Sequence, residues 1–297
     1  MAAAQIIRRR RAVPWRDRQG RLSWLKIAVL AGCIAPGAVI ACRLWLGDAG
    51  PKPITEAIHV TGLWTIRFLL ISLALSPARL VFEWPRAPLI RRIVGVTASC
   101  YALAHLSLYI VDQNGRLLTV VSEIIHRFYL TIGFVALLGL IALAATSTDG
   151  ATRRMGKGWK RLHRWAYPIA GLGLLHYFIQ TKANVGEPII FAGLFLWLML
   201  WRLLPARWAG TLWILPPLAL AAALLAAGVE FAWYSLATGI NAARVLAAEA
   251  ALRFGIRPAQ WVAISGAAIV ALAVLRRGLR AGLRPRAAPS KLEARRI

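Results

Sequence analysis

Long stretches without a single charged residue constrain this chain more than anything else in it. Residues 93–111, 128–146, 208–229 and 259–275 carry no Asp, Glu, Lys or Arg. A helix that crosses a bilayer needs about 20 mostly apolar residues. Four such runs are too many and too long for the core helices of one soluble domain. Hydrophobic residues make up 59% of the chain, above the roughly 45–50% of soluble domains. Eight spans are predicted, near residues 27–46, 58–76, 93–111, 128–146, 163–179, 188–204, 208–229 and 259–275. The expected fold class is therefore all-α, a polytopic transmembrane helical bundle.

The net charge is +26. A balance that basic can signal nucleic acid, but the charge is confined to tails and certain loops, so no nucleic-acid partner is expected. The N-terminal tail holds Arg8 to Arg11, Arg16, Arg18, Arg21 and Lys26. The loop after the second span holds Arg79, Arg86, Arg91 and Arg92, and the loop after the fourth holds Arg153, Arg154, Lys157, Lys160 and Arg161. The C-terminal tail holds Arg276, Arg277, Arg280, Arg284 and Arg286. Alternate loops are poor in Lys and Arg. Cytoplasmic loops collect these residues, which puts both termini inside and requires an even number of spans. The segments expected are a basic cytoplasmic tail (1–26), a six-helix core (27–204), two further spans with a long outer connection (205–275) and a second basic tail (276–297). The connection at 230–258 is partly amphipathic and is expected along the outer interface.

Some classes are excluded. The stretch Gly156-Lys157-Gly158 is not a phosphate loop, since no Ser or Thr follows the lysine. No Gly-x-Gly-x-x-Gly motif follows a strand, so no nicotinamide site is evident. Cys33, Cys42 and Cys100 form no Cys-x-x-Cys pair and read as small buried helix residues. The N-terminus does not read as a cleaved signal peptide.

The histidines carry the chemistry. His59, His105, His126, His163 and His176 are the five present. An ionisable group within a bilayer is costly and marks function by default. His105 lies about six residues before the outer end of its span, and His176 about three residues before the outer end of its own. At about 1.5 Å per residue the two differ in depth by only a few ångströms. A haem between two helices needs an imidazole on each axial face, and this pair meets that condition. His163 precedes His176 by 13 residues, roughly 20 Å toward the inside, and no histidine faces it from 91–94. It is a third candidate: a ligand with another partner, a ligand of an alternative state, or a residue at a flavin or quinone site. His59 is a further candidate for ligation, with a supporting role beside the outer haem favoured. His126 reads as a solvated loop residue. Arg67 sits mid-span and needs a partner. A haem propionate or a cofactor phosphate is the candidate.

Several stretches resemble a known family. They are His59-Val60-Thr61-Gly62 continuing to Leu75-Ser76-Pro77, Arg91-Arg92-Ile93-Val94-Gly95 leading to Tyr101-Ala102-Leu103-Ala104-His105, and Tyr129-Leu130-Thr131-Ile132-Gly133 ending in Thr146-Ser147-Thr148. To these add Trp159-Lys160-Arg161-Leu162-His163, Tyr167 and Leu175-His176-Tyr177. Their order and spacing over about residues 22–205 resemble the MsrQ family, haem-binding membrane subunits within the wider ferric-reductase-like transmembrane group. The resemblance implies a six-helix, ferric-reductase-like haem-binding core and places the family's functional histidines on His105, His163 and His176. It further implies haem b and FMN as cofactors, the FMN site being unassigned. The implied place is the bacterial inner membrane. Electrons would come from a cytoplasmic flavin reductase or the quinol pool and pass to MsrP, a periplasmic molybdopterin enzyme that reduces methionine sulfoxide in proteins. The chain would then be an electron-transfer subunit rather than the catalytic one. His126-Arg127-Phe128 departs from the family's usual basic residue followed by proline. The alternatives are a ferric or cupric reductase-like protein, a quinol-linked transmembrane cytochrome b, and a haem-free transporter or structural membrane protein.

Overall fold

The structure is a computed structural model and describes residues 15–16, 20–181, 184–239, 241–251 and 255–282. Arg8 to Arg11, Arg18, Arg284 and Arg286 lie outside the described residues. Within them the chain is helical, with one isolated β-bridge between Arg16 and Leu22 and no strand. The helices are α1 (Trp24–Trp45), α2 (Pro53–Val81), α3 (Ala87–Asp112), α4 (Leu117–His126), α5 (Phe128–Ala145), α6 (Asp149–Met155), α7 (Lys157–His163), α8 (Ala166–Thr181), α9 (Gly186–Leu203), α10 (Leu215–Trp233), α11 (Ala242–Ala250) and α12 (Pro258–Gly282). A π-helical turn, Tyr234–Thr238, extends α10.

Seven helices among the described residues are long and apolar enough to cross a membrane: α1, α2, α3, α5, α9, α10 with its π-helical turn, and α12. The eighth expected span appears as α8, 16 residues long, or about 24 Å. It begins three residues later than expected because His163 closes the separate helix α7. Pro168 explains the break. Its ring would clash with the carbonyl of Arg164 in a continuous helix, whereas it is tolerated in a first turn.

One compact unit comprises residues 1–76 and 86–191. Within it α5 packs on α8, with Ile169 reaching into the space above Gly139, where a Cβ would stand 2.6 Å from Cδ1. Helix α1 is attached differently. The Tyr101 hydroxyl accepts from the Gly37 N–H at 2.6 Å and donates to the Cys33 carbonyl at 2.9 Å. It thereby stands between two groups that an α-helix would pair directly, one residue from Pro36. The loop expected between the third and fourth spans instead folds into α4. Glu123 ties it down, accepting from the Tyr109 hydroxyl and pairing with Arg127 at 2.9 Å. Leu118, Val121 and Ile125 of α4 are exposed, as expected of a helix lying in an interface.

The second unit comprises residues 77–85 and 192–297. Its α10 and α12 approach closely through small residues: a Cβ on Gly266 would lie 2.4 Å from that of Ala219. Close backbone approach is how membrane helices gain packing energy without a hydrophobic drive between them. Val81, Leu215 and Ala273 form a core cluster with Phe82, Trp201 and Val270 around it. Helix α12 runs seven residues past the expected end of the last span. Arg276 and Arg277 are therefore not tail residues but caps. Arg276 donates to the Phe82 carbonyl at 2.8 Å. Arg277 donates to Val81 and Leu80 at 2.9 Å each, and to Gly210 at 2.7 Å. Arg280 donates to the Glu83 carbonyl. All of these carbonyls but that of Gly210 end α2 or follow it, where a helix leaves its last acceptors unsatisfied and favours positive charge. In the segment expected to lie along the outer surface, α10 continues and α11 forms. Buried Glu230 pairs there with Arg257.

Candidate functional site

Two imidazoles meet in the first unit. His105 projects from α3 and His176 from α8, with ring centroids 6.3 Å apart and planes at 85°. Each is held the same way. His105 Nδ1 lies 2.8 Å from the Ile58 carbonyl of α2, and His176 Nδ1 lies 2.8 Å from the Tyr129 carbonyl of α5. A carbonyl only accepts, so each Nδ1 carries the proton and each Nε2 keeps its lone pair. This is the usual arrangement of a metal-binding histidine, whose second nitrogen fixes tautomer and ring orientation.

Each ring also lies against a glycine four residues beyond the carbonyl it bonds. A Cβ at Gly62 would stand 3.0 Å from His105 Nδ1, and one at Gly133 would stand 2.7 Å from His176 Nδ1. Glycine is needed at both places so that the imidazole can reach the helix backbone. Tyr129 stacks on His176 with planes 25° apart. Sequence reasoning missed this pair of cradles. Its only trace was glycine at the ends of two of the family-like stretches.

The separation is informative. A metal–imidazole bond of about 2.0 Å plus roughly 1.1 Å from nitrogen to ring centre, counted twice, gives about 6.2 Å. The observed separation is of that size. Among the described residues no group of three His, Cys, Asp or Glu side chains could hold a metal ion.

The other candidates lie elsewhere. His163 closes α7, with Nε2 3.3 Å from the Ser147 hydroxyl and Nδ1 3.2 Å from the Trp159 carbonyl. The Trp159 ring stacks on it at 3.9 Å and donates through Nε1 to the Thr146 carbonyl at 2.9 Å. Burial pushes the His163 pKa below its ordinary value, and the charges of Arg91 and Arg92 act the same way. His59 is exposed on α2, next to Ile58. His126 ends α4 rather than lying in a loop, with Nδ1 2.7 Å from the Ser122 carbonyl. Arg67 has a partner, but a protein one. Glu187 in the first turn of α9 stands 3.2 Å from its Nη2 and also accepts from the Tyr177 hydroxyl at 2.8 Å. The Trp64 ring lies 4.9 Å from the guanidinium carbon. Glu187 was not foreseen because it comes from a helix 120 residues away. Of the cysteines, Cys33 is buried, while Cys42 and Cys100 are exposed, and all three are free.

The family described as ferric reductase like transmembrane component matches residues 61–174. A Rhodospirillum rubrum protein named protein-methionine-sulfoxide reductase heme-binding subunit MsrQ is 44% identical over 193 residues, covering 64% of this chain and 90% of the relative. Proteins of the same name from Xanthomonas campestris and Caulobacter vibrioides are 40% and 39% identical, over 60% of this chain and 84% and 86% of theirs. No solved structure matches. With a ferric-reductase-like segment spanning α2 to α8 and relatives covered over most of their length, the chain belongs to the MsrQ family of protein-methionine-sulfoxide reductase heme-binding subunits.

Proposed function

We propose that this protein is a membrane electron-transfer subunit that holds haem b between His105 and His176 and passes electrons to an MsrP-like molybdopterin reductase of oxidised methionine in proteins. The observation that carries this reading is the pair of imidazoles 6.3 Å apart, each with Nδ1 fixed on a backbone carbonyl. His105 and His176 would hold the haem iron through their Nε2 atoms. Haem b, when bound, supplies a one-electron ferric–ferrous couple whose potential depends on axial ligands, burial and nearby charge.

The chain's own residues supply the rest. The Ile58 and Tyr129 carbonyls keep both Nε2 atoms available and the ring planes fixed. Gly62 and Gly133 let helices α2 and α5 close over the rings and keep water out. Arg67 and the Tyr177 hydroxyl, next in sequence to His176, both bond Glu187 and tie α2, α8 and the start of α9 together. His163 is the third cofactor candidate, at the far end of α8 beside the basic residues of α7. FMN is carried over from the family resemblance without an assigned residue.

The proposed location is the bacterial inner membrane with both termini cytoplasmic. The basic connections before α3 and around α6 and α7 support it, since they alternate with connections poor in Lys and Arg. The same side would meet the donor, a flavin reductase or the quinol pool. The His105–His176 pair stands near the opposite face, the periplasmic one.

Electron delivery is tested by stopped-flow mixing of the reduced protein with an oxidised MsrP-like partner. Decay of the reduced b-type bands at least tenfold faster than in buffer supports the reading. Decay at the buffer rate contradicts it.

A further inference from the structure

A cavity of about 1970 Å³ runs between α1 and α3. Pockets for compact ligands take about 300–1,000 Å³, so this one offers more space than a compact ligand fills. Its lining extends from Lys26 to Leu44 on α1 and from Pro88 to Leu108 on α3. Eighteen residues of helix are about 27 Å, close to the roughly 30 Å hydrocarbon thickness of a bilayer. The walls along that length are mostly apolar, including Leu30, Ile34, Ile40, Ile93, Val96 and Ala104.

One end is different. Arg16, Lys26 and Arg92 line it together with Asp149, the carboxylate among the lining residues there. Asp149 is held by Arg92 at 2.6 Å. Three cations less one carboxylate leave that end with a charge of +2. The chain builds this end deliberately. The segment before α1 turns back at Gly20, where φ is +83°. The Arg16–Leu22 bridge and the Ser23 N–H to Trp15 carbonyl bond of 3.0 Å hold the return. Lys26 Nζ donates to the Arg16 carbonyl at 2.7 Å and Arg16 Nη1 to the Gly20 carbonyl at 3.2 Å, and both side chains line this mouth.

We propose that this groove is a binding site for an anionic phospholipid, its headgroup between Arg16, Lys26 and Arg92 and its acyl chains along the α1–α3 walls. Charge complementarity selects the occupant. A basic pocket between spans at the membrane surface suits an anionic headgroup, whereas a neutral quinone would leave the net charge of +2 at this end uncompensated. The bound lipid would fill the space between α3 and a helix otherwise attached through the Tyr101 hydroxyl. The inference does not depend on the haem reading.

The test is the lipid retained by protein purified in mild detergent, counted by native mass spectrometry and by headgroup analysis of the extract. Each cation near a membrane surface is worth roughly fivefold in affinity. The triple variant Arg16→Gln, Lys26→Gln, Arg92→Gln should therefore retain at least about tenfold less phosphatidylglycerol or cardiolipin. A second variant, Ala38→Phe with Ala41→Phe, fills the groove without touching a charge and should lose the lipid too. Both should keep the wild-type haem spectrum, which shows that the core has folded. After delipidation, nanodiscs of phosphatidylcholine with added phosphatidylglycerol should restore one anionic lipid per chain to wild type alone. Equal retention by wild type and both variants overturns the proposal. So does recovery of a stoichiometric prenylquinone in place of phospholipid.

Discussion

Gly133→Leu should cut haem binding roughly tenfold while leaving the helices intact. A bare Cβ at this position already stands 2.7 Å from His176 Nδ1 and 2.9 Å from Cε1. Real Cβ atoms do not approach that closely, so even alanine forces a shift, and leucine adds three more carbons against a ring locked by the Tyr129 carbonyl. Binding constellations tolerate only about 0.5 Å of displacement, and a ring pushed off its carbonyl loses both its place and its fixed tautomer. The expected result is roughly tenfold less haem per polypeptide, read from the Soret absorbance of purified protein, with helical circular dichroism unchanged. Gly62→Ala should act in the same direction more mildly, because its Cβ would sit 3.0 Å from His105 Nδ1. A Gly133→Leu protein with a full complement of haem and an unaltered spectrum would show that the ring does not need that carbonyl.

Glu230→Ala should be the most destabilising change outside the site. Glu230 is 2% exposed and pairs with Arg257, whose side chain is 26% exposed. Removing one partner of a buried ion pair costs about 3–5 kcal/mol. The loss should appear in denaturant unfolding as a lower midpoint in the second unit. Replacing both residues with apolar ones of similar volume should recover much of it. A change below about 1 kcal/mol in the single variant would mean that the pair does not hold α10 to the start of α12.

The spans were legible because a run of apolar residues long enough for a bilayer has few other uses. His105 and His176 were legible together because depth can be counted along a helix, and the structure does bring their rings within 6.3 Å. What supports them was not. The Ile58 and Tyr129 carbonyls are backbone groups, which no residue type announces, and Gly62 and Gly133 become meaningful only once α2 is known to face α3 and α5 to face α8. Arg67 was recognised as needing a partner, yet Glu187 arrives from a distant helix. The arginines at the end of α12 looked like topology signals. Three of them cap or follow the end of α2, a role set by tertiary contact rather than by local pattern. His163 was read as the first residue of a span. Pro168 instead ends that helix short of it and leaves it in α7.

The central claim is that His105 and His176 are the axial pair of one haem b. The direct measurement is a dithionite-reduced minus oxidised spectrum of purified wild type beside His105→Ala and His176→Ala. The account predicts b-type bands in wild type and the loss of those bands in each variant. Unchanged haem spectra in both variants would contradict it.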